Sequence, residues 1–265
     1  MYRNHVPIII WGQNLACFLL MSFIFLIMMI CKFDISKNKY TKFILPITLC
    51  LLALTFVKTG MEGVHRWLSI GSVRLNIAMI VLPIILICLE DMLDTKSLKF
   101  GIVVAFGVII VLLFQPDASQ LTGFAIPMMI MVSRKTNNKK ISIFIISTFS
   151  LFVILSWMYL DNLPPVNYVE RIVSMVADMG VLWLISGVLS LAILPIPFLF
   201  FPPENAKLAS RCIGCYYIII IISTLIGNFP VPLMGYGVSP IIGFSLSLIW
   251  YLNSKYSSNT VSAVT

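Results

Sequence analysis

A histidine, an arginine and a tryptophan stand side by side in a polar stretch between two long apolar runs. The stretch runs from Gly63 to Gly71, and its centre reads His65-Arg66-Trp67. A guanidinium is a planar fork that suits phosphate oxygens, and a tryptophan suits the headgroup level of a membrane. Together these side chains could hold the diphosphate of a lipid-linked substrate. An interfacial tryptophan beside a snorkelling arginine is the structural alternative.

Two carboxylates are candidates for acid–base chemistry. Asp117 follows Gln115-Pro116 at the end of an apolar run, where a carboxylate could act as a base or hold a metal ion. Aspartate is also a favoured helix N-cap, so capping is the alternative role. Glu170 is followed by Arg171, and the two either pair with each other or flank a site.

A break rich in proline and glycine interrupts the last long apolar run. It contains Tyr236-Gly237-Val238-Ser239. Broken helices let backbone groups face a cavity, and such breaks mark binding sites in membrane proteins. A plain re-entrant turn is the alternative.

The elements that position these residues are membrane spans. The chain has 265 residues, of which 60% are hydrophobic and 11% charged, and its mean hydropathy is +1.02. The run from Cys212 to Ser254 contains no Asp, Glu, Lys, Arg or His, and it is long enough for two spans of roughly 20 residues. The apolar runs are continuous rather than alternating, which predicts an all-α polytopic membrane protein.

The pattern predicts about nine transmembrane helices in one domain covering residues 1–265, with a disordered Ser/Thr-rich tail over about 256–265. Among these nine helices, the third and the fifth have the weakest sequence signal. The predicted spans are 7–31, 43–57, 75–89, 100–114, 121–133, 141–160, 179–201, 212–226 and 241–252.

The net charge of +8 indicates orientation in the bilayer rather than nucleic-acid binding, because the basic residues lie in short loops. Thirteen Lys and Arg residues lie on one set of loops and five on the other. The richer side should be cytoplasmic, which places the N-terminus outside and the C-terminus inside. Four segments then share the outer face: 58–74, 115–120, 161–178 and 228–239. The six cysteines predict no metal site, because the one CxxC pair, Cys212 and Cys215, has no second pair to close a zinc site.

Three motifs on the outer face resemble those of the SEDS proteins (shape, elongation, division and sporulation). The stretch Gly63–Gly71 is similar to their GxxRWLxxG loop, and Gln115-Pro116-Asp117 is similar to their QPD motif at a span end. The segment Pro230–Ser239 resembles their PLPFISYGGS segment. The motifs occur in the family's order and with its spacing from the spans, and the resemblance covers nearly the whole chain.

The resemblance implies a function. SEDS proteins have ten spans and polymerise lipid II into glycan strands in the bacterial inner (cytoplasmic) membrane, with a class B penicillin-binding transpeptidase as partner. The nine spans would match the family's second to tenth. We therefore expect a role in peptidoglycan synthesis, in cell division or cell shape, on lipid II or another undecaprenyl-linked glycan. A divalent metal ion could assist. Glu170 or Asp117 would be catalytic, and the substrate would be bound by His65, Arg66, Trp67, Arg74, Gln115, Tyr236 and Ser239.

The chain departs from the family in its long outer loop, which carries the family's catalytic aspartate. Only residues 161–178 remain of it. This remnant can be matched to the family's loop in two ways, and neither preserves the aspartate. Residues 168–174 resemble the opening of the loop, YxxxRIxSF, read with one residue fewer. Alternatively, Leu163-Pro164 resembles its closing LPxxHTDF, which places Val169 at the aspartate position and Glu170 beside it. A lipid II-binding scaffold or regulator without catalysis is therefore the alternative function, and a transporter of a lipid-linked precursor is a third.

The sequence predicts that Trp67 and Tyr236 reach the same side of the membrane. Reporter fusions at these two positions test this, because a phosphatase reporter is active only outside the cytoplasm and a fluorescent protein reports the cytoplasm. Both fusions should report the outer side. Opposite sides for the two positions would contradict the predicted outer face.

Overall fold

Helices make up almost all of the architecture. The computed structural model describes residues 6–30, 37–57, 59–71, 73–95, 98–161 and 163–262. These residues form eleven α-helices and one antiparallel hairpin. The helices are α1 (Ile8–Ile30), α2 (Lys37–Leu54), α3 (Ile77–Thr95), α4 (Leu98–Phe114), α5 (Ala118–Lys135), α6 (Lys139–Met158), α7 (Ile172–Ala177), α8 (Val181–Ile193), α9 (Ile196–Phe200), α10 (Lys207–Ile226) and α11 (Val238–Ser262), and the strands are β1 (Trp67–Ile70) and β2 (Val73–Asn76).

Each of the predicted spans contains a helix, and one of them is broken. The seventh divides into α8 and α9 at Leu194-Pro195, because a proline inside a helix removes a backbone hydrogen bond. The predicted all-α polytopic fold is confirmed, while the number of helices that cross the bilayer stays a prediction. The backbone of the tail is helical as far as Ser262. Residues 58, 72 and 162 of the predicted outer segments and residues 263–265 of the tail lie outside the described residues.

The hairpin β1–β2 was not predicted from the sequence. Trp67 pairs with Asn76 and Ser69 with Arg74, and Gly71 has a φ of +60° in the connecting turn. Two strands of four residues are too short to show a period of two clearly. The hairpin ends where α3 begins. It therefore holds Arg66 at the end of the helix bundle where α3 starts.

Helix α5 lies at the centre of the bundle. Twelve of its eighteen residues are buried, and it packs against α3, α4, α6 and α10. One hydrophobic core runs from Leu45 on α2 to Tyr251 on α11. By contrast, α1 packs chiefly on α11 and buries Met21 alone among its residues.

The outer surface of the bundle suits lipid. Three described stretches are long and apolar enough to cross a membrane: Ile8–Ile30, Lys139–Met158 and Glu204–Ile226. Shorter apolar helices cover Thr41–Leu54, Leu98–Phe114 and Val181–Ile193. Large exposed apolar side chains are frequent on these helices, for example Leu182 on α8, which is 76% exposed. Such a continuous apolar surface would be a liability in water and is expected in a bilayer.

Close backbone approach holds α11 against α3. A Cβ atom at Gly243 would overlap the carbonyl oxygen of Met79 and lie 3.2 Å from its carbonyl carbon. Burial of apolar surface drives helix association weakly in lipid, so such approaches at small residues carry much of the packing energy.

We expect Gly243→Ala to destabilise the protein, because the added methyl group pushes α11 away from α3. Overpacking of this kind costs about 1–3 kcal/mol. The matched control is Gly107→Ala on α4, where an added Cβ meets no atom within 4 Å. Thermal unfolding in detergent measures both variants. The packing argument fails if Gly243→Ala unfolds at the same temperature as Gly107→Ala.

Candidate functional site

Arg66 is a buried charge at the mouth of the bundle. Its residue exposure is 4%, and it directly precedes β1. Its carbonyl oxygen accepts a hydrogen bond from the backbone N–H of Ile77 at 3.2 Å, which closes the base of the hairpin. The hairpin and the start of α3 therefore fix the position of its side chain.

Two carboxylates and a carbonyl surround this guanidinium. Arg66 Nη2 donates to the carbonyl oxygen of Pro116 and to Asp161 Oδ2. Arg66 Nε lies 3.4 Å from Asp117 Oδ2 in an ion pair. A guanidinium removed from water needs such partners, and its fork can serve several acceptors at once. We call Arg66, Asp117, Asp161 and the Pro116 carbonyl the Arg66 cluster.

Aromatic rings enclose the cluster. Arg66 Cζ lies 5.9 Å from the centroid of the Trp67 ring and 6.0 Å from that of Phe229. The His65 ring stacks on Phe56 at 5.1 Å between centroids, and its Nδ1 is buried without a hydrogen-bond partner among the described residues. The His65 ring thus contacts Phe56, while the Trp67 ring lies beside the Arg66 guanidinium. Arg66 is buried and ion-paired, so it is not the snorkelling arginine considered from the sequence.

Asp117 caps a helix. Its Oδ1 accepts a hydrogen bond from the backbone N–H of Gln120 at 3.2 Å, at the start of α5. Its Oδ2 also accepts from Asn76 Nδ2 at 3.5 Å. The same carboxylate therefore satisfies a free N–H group of α5 and balances Arg66.

Gln115 and Ser239 link helices rather than face an open cavity. Gln115 Nε2 donates to Thr55 Oγ1 at 2.8 Å, joining the end of α4 to the end of α2. Ser239 Oγ accepts from the backbone N–H of Asn76 at 2.8 Å, joining α11 to the start of α3. Both side chains are buried.

Glu170 lies in the short segment between α6 and α7. Its Oε2 accepts a hydrogen bond from the backbone N–H of Val166 at 2.7 Å and closes a turn. Partial burial raises the pKa of Glu170 by desolvating its charged form, and the charge of Asp161 also raises it. Backbone hydrogen bonds and the charge of Arg66 act in the opposite direction. The carboxylate therefore holds a proton more firmly than an exposed glutamate does.

The proline-rich break is held by hydrogen bonds to α1 and to the segment before α7. Asn14 on α1 donates to the carbonyl oxygen of Gly235 at 3.0 Å and accepts from the N–H of Gly237 at 3.1 Å. Tyr236 donates its hydroxyl to Gln13 Oε1 at 2.7 Å and its backbone N–H to the carbonyl oxygen of Tyr168 at 2.8 Å.

The break also lies very close to the turn that holds Glu170. A Cβ atom at Gly235 would overlap the carbonyl oxygen of Val169. The backbone N–H of Val231 donates to that same oxygen at 3.2 Å. The four segments that carry the candidate residues thus meet at one end of the bundle.

Arg74 differs from Arg66 because it is exposed. It lies on β2 near the hairpin turn, with Nη1 2.9 Å from Met61 Sδ. It forms no ion pair with a carboxylate in the described part of the chain. Its charge is therefore available to an anion arriving from outside.

Two cavities open beside the hairpin. One, of about 300 Å³, is lined by Glu62, Pro116, Tyr159 and Asp161 among others, so it borders the Arg66 cluster. The second, of about 520 Å³, is lined by Phe56, His65, Ile110, Val111 and Phe114. Gly63 lines both, so a polar and an apolar recess lie on either side of one turn.

These side chains do not suit a divalent metal ion. Across the described ranges, no three His, Cys, Asp or Glu side chains lie close enough to hold one ion. The guanidinium of Arg66 occupies the space between Asp117 and Asp161.

Sequence reasoning missed Asp161 and Asn76. Asp161 reads as an ordinary residue at a span boundary, yet it is the carboxylate to which Arg66 donates. The available signal was that an ionisable residue beside a membrane span usually has a partner. Asn76 sits between two apolar residues, and nothing in the sequence indicates that its side chain faces Asp117.

Comparison with known proteins supports the fold. No protein-family model matches the chain, and no curated protein matches it. Among solved structures, the rod shape determining protein RodA of Thermus thermophilus is similar at a TM-score of 0.61 and 16% identity, covering 96% of this chain and 89% of that one. An Asp-to-Ala mutant of the same protein aligns at 0.60 and 17%, covering 96% and 90%. The resemblance to SEDS proteins is thus confirmed in the fold, and the chain is a multi-pass membrane protein.

We expect Asp161→Asn to destabilise the protein, because it removes one of the two carboxylates that balance buried Arg66. Breaking a buried pair costs about 3–5 kcal/mol, and the 13% exposure of the Asp161 side chain places this pair near the lower bound. The control is Asp178→Asn in the same segment, an exposed aspartate that should change the free energy of unfolding by about 0.5 kcal/mol or less. Chemical denaturation in mixed micelles measures both. Equal stability of the two variants would remove the structural role assigned to Asp161.

Proposed function

We propose that this protein is a SEDS-type membrane protein of peptidoglycan synthesis, in cell division or cell shape. It acts on lipid II or another undecaprenyl-linked glycan at the non-cytosolic side of the bacterial inner membrane, with its N-terminus outside and its C-terminus in the cytoplasm. The observation that carries the proposal is the meeting of the three motif segments around buried Arg66 in a RodA-like fold.

The structure favours Arg74 over Arg66 for holding the diphosphate. Arg66 already balances Asp117 and Asp161, so a diphosphate brought to it would face two like charges. Arg74 is exposed near the hairpin turn and has no such partner within the described residues. Arg66 then acts as a positioning residue, which fixes the hairpin that carries Arg74.

The two recesses beside Gly63 suit an amphipathic ligand. The apolar recess, lined by Phe56, Ile110 and Phe114, suits a polyprenyl chain. The polar recess, lined by Glu62 and Asp161, suits sugar hydroxyl groups. His65 also lines the apolar recess.

Glu170 is the catalytic group in the glycosyltransferase form of the proposal. Its carboxylate takes the proton of the attacking sugar hydroxyl, the new glycosidic bond forms at C1 of the donor sugar, and the bond from C1 to the diphosphate breaks. The raised pKa of Glu170 supports this role, because a carboxylate that binds a proton more firmly is a better base at neutral pH. Asp117 is less suited, since its oxygens already cap α5 and balance Arg66.

A binding role without catalysis is the second candidate. In one of the two matches to the family's loop, Val169 takes the place of the aspartate. The carbonyl oxygen of Val169 accepts a hydrogen bond from the backbone N–H of Val231. In this form the protein binds lipid II, or a class B penicillin-binding transpeptidase, as a scaffold.

We expect purified protein to convert lipid II into glycan strands, visible on a gel, and Glu170→Gln to lower the rate roughly 100-fold or more. Asp178→Asn is the matched control and should retain activity. Because the base must be deprotonated, activity should fall as the pH drops through the raised pKa of Glu170, at a higher pH than an ordinary glutamate would give.

The outcomes separate the two forms. If the wild type makes no strands but binds lipid II, and Arg74→Gln weakens that binding, the scaffold form holds and catalysis is rejected. If Glu170→Gln polymerises as fast as Asp178→Asn, Glu170 is not the base. If the wild type binds no lipid II, the whole proposal fails.

A further inference from the structure

A basic pocket lies at the end of the bundle opposite the Arg66 cluster. Helix α10 begins at Lys207 and ends at Ile226, and Phe229 just beyond that end lies 6.0 Å from Arg66. A helix of 20 residues is about 30 Å long, roughly the thickness of the hydrocarbon core. The pocket, of about 410 Å³, is lined by Lys207, Arg211 and Lys255 at the other end of that span.

Positive charge is in excess in this pocket. Glu204 is the one carboxylate among the lining residues, and it pairs with Lys207 at 2.5 Å. Arg211 has no ion pair with any carboxylate of the described residues. Lys207 and Arg211 lie four residues apart on one face of α10, and like charges at that spacing destabilise a helix. An anion in the pocket would remove this repulsion.

The wall of the pocket is fixed by hydrogen bonds between and within helices. Tyr251 on α11 donates its hydroxyl to the carbonyl oxygen of Phe201 at 2.6 Å. Lys255 donates to that hydroxyl at 3.4 Å and lies 5.7 Å from the centroid of the Tyr251 ring. Ser210 donates to the carbonyl oxygen of Phe198 at 2.8 Å, which ties α10 to α9. The basic side chains are thus presented on a scaffold built from three helices.

Exposed aromatic side chains form the rim. Phe200 and Phe201, at the end of α9, are 72% and 60% exposed and line the same pocket. In a membrane protein such rings lie among acyl chains, directly beside the basic groups. A ligand that fits both features carries a phosphate on an apolar body.

We propose that this pocket binds the headgroup phosphate of an anionic phospholipid. Arg211 and Lys207 hold the phosphate oxygens, and Phe200 and Phe201 contact the first carbons of the acyl chains. The proposal goes beyond the function proposed above and does not depend on it, because the site lies on the other membrane surface.

Native mass spectrometry of the full chain tests the proposal. The protein is mixed with dioleoylphosphatidylglycerol, with dioleoylphosphatidylcholine, or with glycerol phosphate, which is the anionic headgroup without acyl chains. The wild type should retain phosphatidylglycerol in preference to phosphatidylcholine. Lys207→Gln with Arg211→Gln should weaken binding of phosphatidylglycerol roughly 10- to 30-fold, and Arg211→Gln alone should weaken it by a smaller factor.

The matched control removes two exposed charges from the same end of the bundle. Lys139→Gln with Lys140→Gln, at the start of α6, should bind phosphatidylglycerol as the wild type does. Equal losses in the two double variants would show that diffuse surface charge attracts the lipid and would overturn the site. Competition by glycerol phosphate as effective as that of the whole lipid would overturn the assignment to a lipid. No preference for phosphatidylglycerol in the wild type would also overturn it.

Discussion

The balance of charge around one buried arginine organises the functional end of this molecule. Arg66 donates to the Pro116 carbonyl and to Asp161 and pairs with Asp117, so it joins the hairpin, the α4–α5 corner and the end of α6. In a bilayer, apolar surface gains little by leaving lipid for protein, so polar links and close backbone contacts decide how helices associate. A guanidinium with two hydrogen-bond acceptors and a second carboxylate beside it provides such a link, and losing one of these partners leaves a charge in a poorly solvated place.

The contacts that each candidate residue makes limit the role it can have. Asp117, Gln115 and Ser239 hold the ends of helices together, which explains why a polar motif is found at a span end. Arg74 and Glu170 are less constrained, because one is exposed and the other closes a short turn. The resulting arrangement has fixed polar contacts around Arg66 and less constrained side chains at Arg74 and Glu170.

The sequence predicted the fold well because long charge-free runs leave few alternatives to spanning helices. The predicted ends of the helices were less accurate. Helix α3 continues to Thr95, beyond the predicted span, because Glu90 and Asp91 are buried there. The hairpin escaped prediction because four-residue strands carry little periodic signal. The grouping of the motif residues on one face was predictable from loop order. The partner of Arg66 was not predictable. Arg66 and Asp161 are 95 positions apart in the chain, and a pairing over that distance produces no local pattern in the sequence.

The clasp between α1 and the proline-rich break has a consequence for biosynthesis. Asn14 and Gln13 meet Gly235 and Tyr236 across 221 and 223 positions of the chain. A ribosome makes α1 well before the proline-rich break, so these two amides enter the membrane before their hydrogen-bond partners have been made. Helix α1 therefore cannot dock on the break until the segment that contains Gly235 and Tyr236 has been made. The contact of α1 with the break is therefore among the later contacts of the bundle to form.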